Sequence, residues 1–395
     1  MHRLKNAVQG YAWGSRTAIA DLRGAPPSDT PEAELWMGAH PVAPSTLAAS
    51  GHALGEVIAA APEENLGAPS LNRFGPRLPF LFKVLAAAEP LSLQAHPTEA
   101  QAQEGFDREE AAGVPLTAPS RNYKDRHHKP ELLCAMTPFW ALCGFRDIAR
   151  TNALVAAVGS ASLSRICAPL VSHGQEGLRQ VFLSLIGMDR DAAAALVGEV
   201  IDACTVHKSA QGPWKDECHW AERLAQLYLG DVGAVASLLL NVVQLQPGEA
   251  IYLPAGNLHA YLQGTGFEIM ASSDNVLRGG LTKKHVDVPE LSRVLDFSAG
   301  PVPILGGEAR SQFERVYPTP APEFELSVLH LPDEGTPPLA RRGPEILLVT
   351  GGNVLARGRT EVVLGRGDAV YVPWSEGPFT LTGPGEVVRA TVGRL

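Results

Sequence analysis

The sequence predicts a mainly β protein with an α-helical insertion, built on two related strand-rich modules. Three observations lead there: strand-like segments up to about Cys143, a helical stretch from Asp147 to Asp231, and an internal repeat once strand character returns after Ala234. A length of 395 residues exceeds one ordinary domain, and 45% hydrophobic against 19% charged residues suits buried cores.

In the first stretch, Leu78–Ala86 (LPFLFKVLA) is rich in bulky apolar residues and runs into a turn at Ala88-Glu89-Pro90. Leu91–His96 (LSLQAH) then alternates apolar and polar, so Ser92, Gln94 and His96 share one strand face and Leu91, Leu93 and Ala95 the other. In the middle, Thr151–Ala157 and Asp191–Ala203 carry helix-forming residues at helical spacing, with glycines between them. The repeat follows. Leu245–Pro254 reads LQPGEAIYLP and Leu364–Pro373 reads LGRGDAVYVP, each a Gly-acid turn leading into an alternating strand. Five residues beyond the first copy stands His259, and five beyond the second stands Pro378, which has no metal-binding side chain. One module is therefore expected to carry metal chemistry and the other to be structural. Residues 1–146 and 232–300 become two parts of the active domain, 147–231 the helical insertion, and 301–395 a second domain without metal ligands.

Acidic residues outnumber basic ones by 42 to 33, a formal charge of −9, and no basic tract occurs. That balance argues against nucleic acid and anionic membrane as partners. No stretch has the ~18 or more apolar residues of a membrane-spanning helix, and the start has no secretory pattern. The five cysteines are odd in number and form no C-x-x-C pair, so the reducing cytoplasm is the expected home.

Chemistry concentrates in four places. Gln94 and His96 lie on one strand face; Lys129 and Glu131 point the same way across Pro130, while His128 points opposite to Lys129; and His259 follows the first repeat. Gln94, His96, Glu131 and His259 offer an amide oxygen, two imidazoles and a carboxylate. Such donors suit zinc, and less well manganese or cobalt; without a thiolate, a catalytic site fits better than a closed structural one. The fourth place, Ser272 to His285, sets Asp274, Arg278, Lys283 and Lys284 around two glycines, a segment able to hold an anion.

These residues resemble a known family, the type I mannose-6-phosphate isomerases (phosphomannose isomerases). The resemblance runs through Tyr11-Ala-Trp-Gly14, Glu34-Leu-Trp-Met-Gly-Ala-His-Pro41, Pro90-Leu-Ser-Leu-Gln-Ala-His-Pro97 and Asn122-Tyr-Lys-Asp-Arg-His-His-Lys-Pro-Glu131. It continues in Tyr252-Leu-Pro-Ala-Gly-Asn-Leu-His-Ala-Tyr261 and Glu268-Ile-Met-Ala-Ser-Ser-Asp-Asn-Val-Leu-Arg-Gly-Gly-Leu-Thr282, with a weaker match in the last ninety or so residues. It implies a double cupin (jelly-roll barrel) fold and one zinc ion on Gln94, His96, Glu131 and His259. It also implies Arg278 and Lys284 at the active site, with Lys83, Ser92, Lys129 and Asp274 nearby. One departure is Lys283, where the family commonly has proline.

The implied reaction interconverts mannose 6-phosphate and fructose 6-phosphate through a cis-enediol(ate), with Arg278 stabilising charge on oxygen. The base stays open among Lys129, His128 and Asp274. The phosphate clamp is shared among Ser92, Lys83, Lys284 and Arg278, and Trp13 is a pocket wall able to stack on a sugar. A monomer handling a small sugar phosphate is expected, with a homodimer as alternative. The rival reading is a non-catalytic sugar-phosphate-binding cupin.

Overall fold

The structure is a computed structural model and describes residues 1–208 and 212–394. Two ten-stranded, antiparallel sheets form its framework. In the first, Glu314–Tyr317, Glu325–His330, Gly385–Thr391, Glu345–Arg357 and Ala369–Val372 lie in that spatial order, and the N-terminal strand His2–Lys5 pairs with Ala369–Val372. In the second, Ala250–Leu253, Glu131–Ala135, His259–Ala271, Phe80–Ala87, Glu34–Met37 and Ala7–Gln9 follow one another. Leu93–Ala95, Phe139–Phe145, Leu240–Leu245 and Leu277–Gly280 branch from this path.

Phe80–Ala87 is buried along its whole length, which explains a continuous apolar run where a half-exposed strand would alternate. Its two faces serve different ends. Phe80, Phe82, Val84 and Ala86 join Leu132 and Ile269 in a core shared with Leu326, Ile346, Leu348 and Tyr371 of the other sheet. Leu85 and Ala87 turn the other way, into a core with Leu133, Leu253 and Tyr261. By the same alternation Lys83 and Glu131 share the face of Leu85 and Leu133. The site is thus built on the inner face of a sheet whose outer face is packed.

The two repeat copies adopt the same turn. Gly248 and Gly367 both have φ of 85°, a conformation glycine adopts at no steric cost. In each turn the acidic side chain accepts from the backbone three residues back, Glu249 from Gln246 and Asp368 from Gly365, both at 2.8 Å. The strands that follow meet equivalent partners, for Leu253 lies opposite Glu131 and Val372 opposite Glu345. Glu345 therefore holds the register position of Glu131, a counterpart with no signal in the spacing of the chain. It is satisfied differently, by Arg341 at 3.1 Å and by Arg389 at 2.8 Å.

Between the strands Phe139–Phe145 and Leu240–Leu245 the chain is helical, with Ile148–Val158, Ala161–Cys167, Pro169–Ile186, Arg190–Lys208 and Lys215–Leu227 as its main pieces. Gly159, at φ of 72°, ends the first of them in a left-handed cap. Leu154, Leu178, Phe182, Val200 and Leu224 pack with Leu93, Leu142, Phe145 and Leu277, so this layer backs the strands that carry Gln94 and Arg278. No helix among the described residues is long and apolar enough to cross a membrane.

Candidate metal centre and adjoining cavity

Three buried side chains converge where the strands Glu131–Ala135 and His259–Ala271 meet the end of Leu93–Ala95. The donor atoms of His96, Glu131 and His259 lie within 4.8 Å of one another. Each imidazole is oriented from behind: His96 Nδ1 donates to the Asn275 carbonyl at 2.7 Å, and His259 Nδ1 to the Asn257 carbonyl at 3.1 Å. A carbonyl only accepts, so Nδ1 carries the proton and the Nε2 lone pair faces inward.

Both Nε2 atoms and Glu131 Oε2 are buried without a hydrogen-bond partner. Burial, then the Lys129 charge, lowers His96 to about 4, so its imidazole is neutral and ready to coordinate. Burial opposes ionisation of Glu131, but Lys129 and then His96 outweigh it and hold the carboxyl well below its ordinary value. Two imidazoles and a carboxylate whose buried donor atoms lack a protein partner fit a divalent cation of zinc type. Gln94 belongs to the same corner, paired across the ladder with both His259 and Arg278.

Beside these donors opens a cavity of about 500 Å³. Trp13, Lys83, Ser92, Gln94, Lys129, Asp274, Arg278 and Lys284 all line it, so eight side chains singled out from the sequence come together. Lys129 Nζ reaches Glu131 Oε1 at 2.9 Å, as their common strand face requires. Burial would raise the Asp274 carboxyl, but its hydrogen bond with His40 at 3.2 Å outweighs this and holds it below its ordinary value. Lys283 and Lys284 both line the cavity. Among the described residues Arg278, Lys283 and Lys284 form no ion pair; burial lowers Arg278, and burial followed by the Arg278 charge lowers Lys284. Unpaired cations beside a metal pocket make a receptor for an anionic ligand.

The family model described as phosphomannose isomerase type I, catalytic domain, matches residues 1–148. Mannose-6-phosphate isomerase of Escherichia coli (strain K12) is 40% identical over 403 residues, covering 98% of this chain and 99% of its own. The chain belongs to the type I phosphomannose isomerase family. Mannose-6-phosphate isomerase 2 of Arabidopsis thaliana is 32% identical, with 98% and 92% covered. Among solved structures, mannose 6-phosphate isomerase from Salmonella typhimurium bound to its substrate fructose 6-phosphate and zinc has a TM-score of 0.89 at 37% identity, each chain covered entirely. The apo form from the same organism also gives 0.89 at 37% identity, covering 100% of this chain and 99% of its own.

Two of the expected site residues, His128 and Lys83, are held by carboxylates. His128 does not face the cavity; it lines a separate hollow with Arg73, Arg77 and Glu323, and its Nε2 meets Glu323 Oε1 at 2.9 Å. Burial alone would lower His128, but the Glu323 hydrogen bond outweighs it and raises the imidazole. Its ring ties the segment before Glu131–Ala135 to the segment before Glu325–His330 and does not reach the cavity lining, so it is not placed to act as the base. His128→Gln is expected to keep kcat within about threefold of wild type. Loss of a true general base would cost ~10²–10⁴-fold, and steady-state kinetics separate the two.

Lys83 reaches the cavity floor, yet Glu268 takes its ammonium at 2.8 Å and Glu34 lies at 3.7 Å. Burial opposes the charge, but these carboxylates outweigh it and hold the lysine protonated. Lys83 thus lines the cavity as an ion-paired lysine, whereas Arg278, Lys283 and Lys284 form no ion pair among the described residues.

Tyr11 and Trp36, aromatic residues that the sequence offers as packing or pocket walls, line the cavity; Glu34 and Tyr228 are further walls and Glu268 is the partner of Lys83, roles not expected from the sequence. Glu34 and Trp36 alternate on one strand and were open to detection. Glu268 was not, since 185 residues separate it from Lys83. His40, a buried histidine outside the donor set, orients Asp274.

Proposed function

We propose that this chain is a zinc-dependent mannose-6-phosphate isomerase that interconverts mannose 6-phosphate and fructose 6-phosphate. The observation that carries the reading is the set of orphaned donors on His96, Glu131 and His259 beside a cavity rimmed by unpaired cations. His96, Glu131, His259 and Gln94 would hold the ion, which supplies Lewis acidity toward the sugar oxygens. A double cupin scaffold is supported by the matching turns at Gly248 and Gly367 and the equivalent registers of Glu131 and Glu345. The five cysteines are free and buried, which favours residence in a reducing cytoplasm.

The residues divide the work as follows. Arg278 and Lys284, with Ser92, bind the sugar phosphate and balance its charge. The reaction removes the proton on C2 of the aldose and returns one to C1, while a hydroxyl proton moves between O2 and O1. Of the two remaining bases, Asp274 is ionised and lines the cavity, whereas the Lys129 ammonium already donates to Glu131. Asp274 therefore takes the proton, with His40 holding its carboxylate in place, and Lys129 keeps Glu131 oriented. As charge gathers on oxygen in the cis-enediolate, the Arg278 guanidinium, fixed on its strand, stabilises it without reorganising. His96, Glu131 and His259 are each 1% exposed, which shields the donors from bulk water.

The test is to mix purified protein with zinc and mannose 6-phosphate and follow fructose 6-phosphate by a coupled assay. Turnover that saturates with substrate is expected. Binding of mannose 6-phosphate without turnover would instead identify a sugar-phosphate-binding module.

A further inference from the structure

Asn275 lies beside the metal donors, behind the cavity wall. It is completely buried, and every polar group of its side chain is used. Its side-chain oxygen accepts from the Lys124 amide at 2.7 Å and from the Asp125 amide at 3.2 Å. Its side-chain nitrogen donates to the Asp125 and His127 carbonyls, both at 2.8 Å. Its own carbonyl accepts the Nδ1 proton of His96 at 2.7 Å.

Neighbouring bonds extend the lock. The Asp274 amide donates to Asp125 Oδ2 at 2.8 Å, and Ser273 Oγ to the His127 carbonyl at 3.1 Å. One residue thereby ties three pieces that lie far apart in sequence: His96, the 124–127 segment that leads directly into Lys129 and Glu131, and the Asp274–Arg278 segment. We infer that Asn275 is a positioning residue that sets His96, Glu131 and Asp274 in mutual register, so that metal grip and proton transfer depend on its amide.

The physical reason lies in what a substitution would strand. Alanine would strip the Lys124 and Asp125 amides and the Asp125 carbonyl of their side-chain partner and leave the His127 carbonyl to Ser273 Oγ alone, and aspartate would set a carboxylate against those carbonyls. Relaxation of the 124–127 segment would then move Glu131 relative to His96, whose Nδ1 partner sits on the same residue. Partners that orient a ligand histidine typically change metal affinity by ~10–100-fold when lost.

This inference rests on the reading of His96, Glu131 and His259 as a zinc site, and its test reads metal affinity directly. Zinc affinity of the full chain is measured by competition with a chromophoric chelator for wild type, Asn275→Ala and Asp125→Ala. The last removes the carboxylate contacts to Asp274 and His127 at a partly exposed position and keeps the inference testable where Asn275→Ala fails to fold. Ser237→Ala, which deletes a buried hydrogen bond to the Ala234 carbonyl and touches neither the donors nor the Asn275 network by any hydrogen bond, is the control for general loss of stability.

Asn275→Ala is expected to weaken zinc binding by about 10–100-fold, and Asp125→Ala by a smaller factor. At saturating zinc, kcat should fall while KM stays within about twofold, and Ser237→Ala should leave affinity and kinetics unchanged. Wild-type zinc affinity and kcat in the folded Asn275 and Asp125 variants would overturn the inference. A wild-type chain that binds zinc but does not isomerise would instead overturn the proposed function and leave the positioning role standing on the affinity data.

Discussion

Glu131→Ala is expected to abolish zinc retention and to lower isomerase turnover by more than about 100-fold, beyond what loss of a partner merely orienting a ligand produces. The carboxylate faces His96 Nε2 at 3.5 Å, His259 Nε2 at 3.3 Å and Lys129 Nζ at 2.9 Å, so its removal deletes the anion at the centre of the donor set. It also leaves the Lys129 ammonium nearly buried and unpaired, and breaking a buried pair in this way costs about 3–5 kcal/mol of stability. Glu131→Gln separates the two effects, because the amide preserves volume and packing while losing the charge. A folded Glu131→Gln protein without bound zinc and without turnover is the expected result. Full metal content with undiminished turnover would remove Glu131 from the ligand set.

Arg278→Ala is expected to lower kcat by about 10²–10³-fold, the usual cost of deleting a fixed donor aimed at developing charge. Arg278 suits that role because it stands on the strand Leu277–Gly280 opposite Gln94, and no acidic side chain among the described residues neutralises it. Arg278→Lys should recover only part of the loss, since an ammonium replaces a planar fork by a point charge. Steady-state kinetics decide the matter: an Arg278→Ala protein with raised KM and wild-type kcat would restrict Arg278 to binding.

Much of this site was legible in the order of the residues. A period of two placed Ser92 and Gln94 on one face, and both line the cavity; the regular strand is shorter than its alternation suggested, covering only Leu93–Ala95. Proline between Lys129 and Glu131 left both side chains on one side, and their ends meet. The Gly-acid turns of the repeat were correctly paired because a positive φ demands glycine at one defined place.

What escaped the sequence depends on distant pairing. His2–Lys5 joins a sheet otherwise built mainly from residues beyond Glu308, and nothing local to four N-terminal residues encodes a partner near Tyr371. Glu345 replicates the register of Glu131 but is neutralised by Arg341 and Arg389, the second of them 44 residues away. In one module a buried glutamate faces two imidazoles, in the other two guanidiniums. The sequence marked the difference only through His259 against Pro378. His128 misled for a related reason, since its partner Glu323 lies 195 residues along the chain.

Isomerisation is proposed to depend on one zinc ion held by His96, Glu131 and His259. Zinc content and fructose 6-phosphate formation measured on the same sample, before chelation, after chelation, and during stepwise return of zinc, test it most directly. An inactive apoprotein is expected, with turnover that returns in proportion to zinc and is complete at about one ion per chain. Undiminished turnover in protein freed of metal would contradict it.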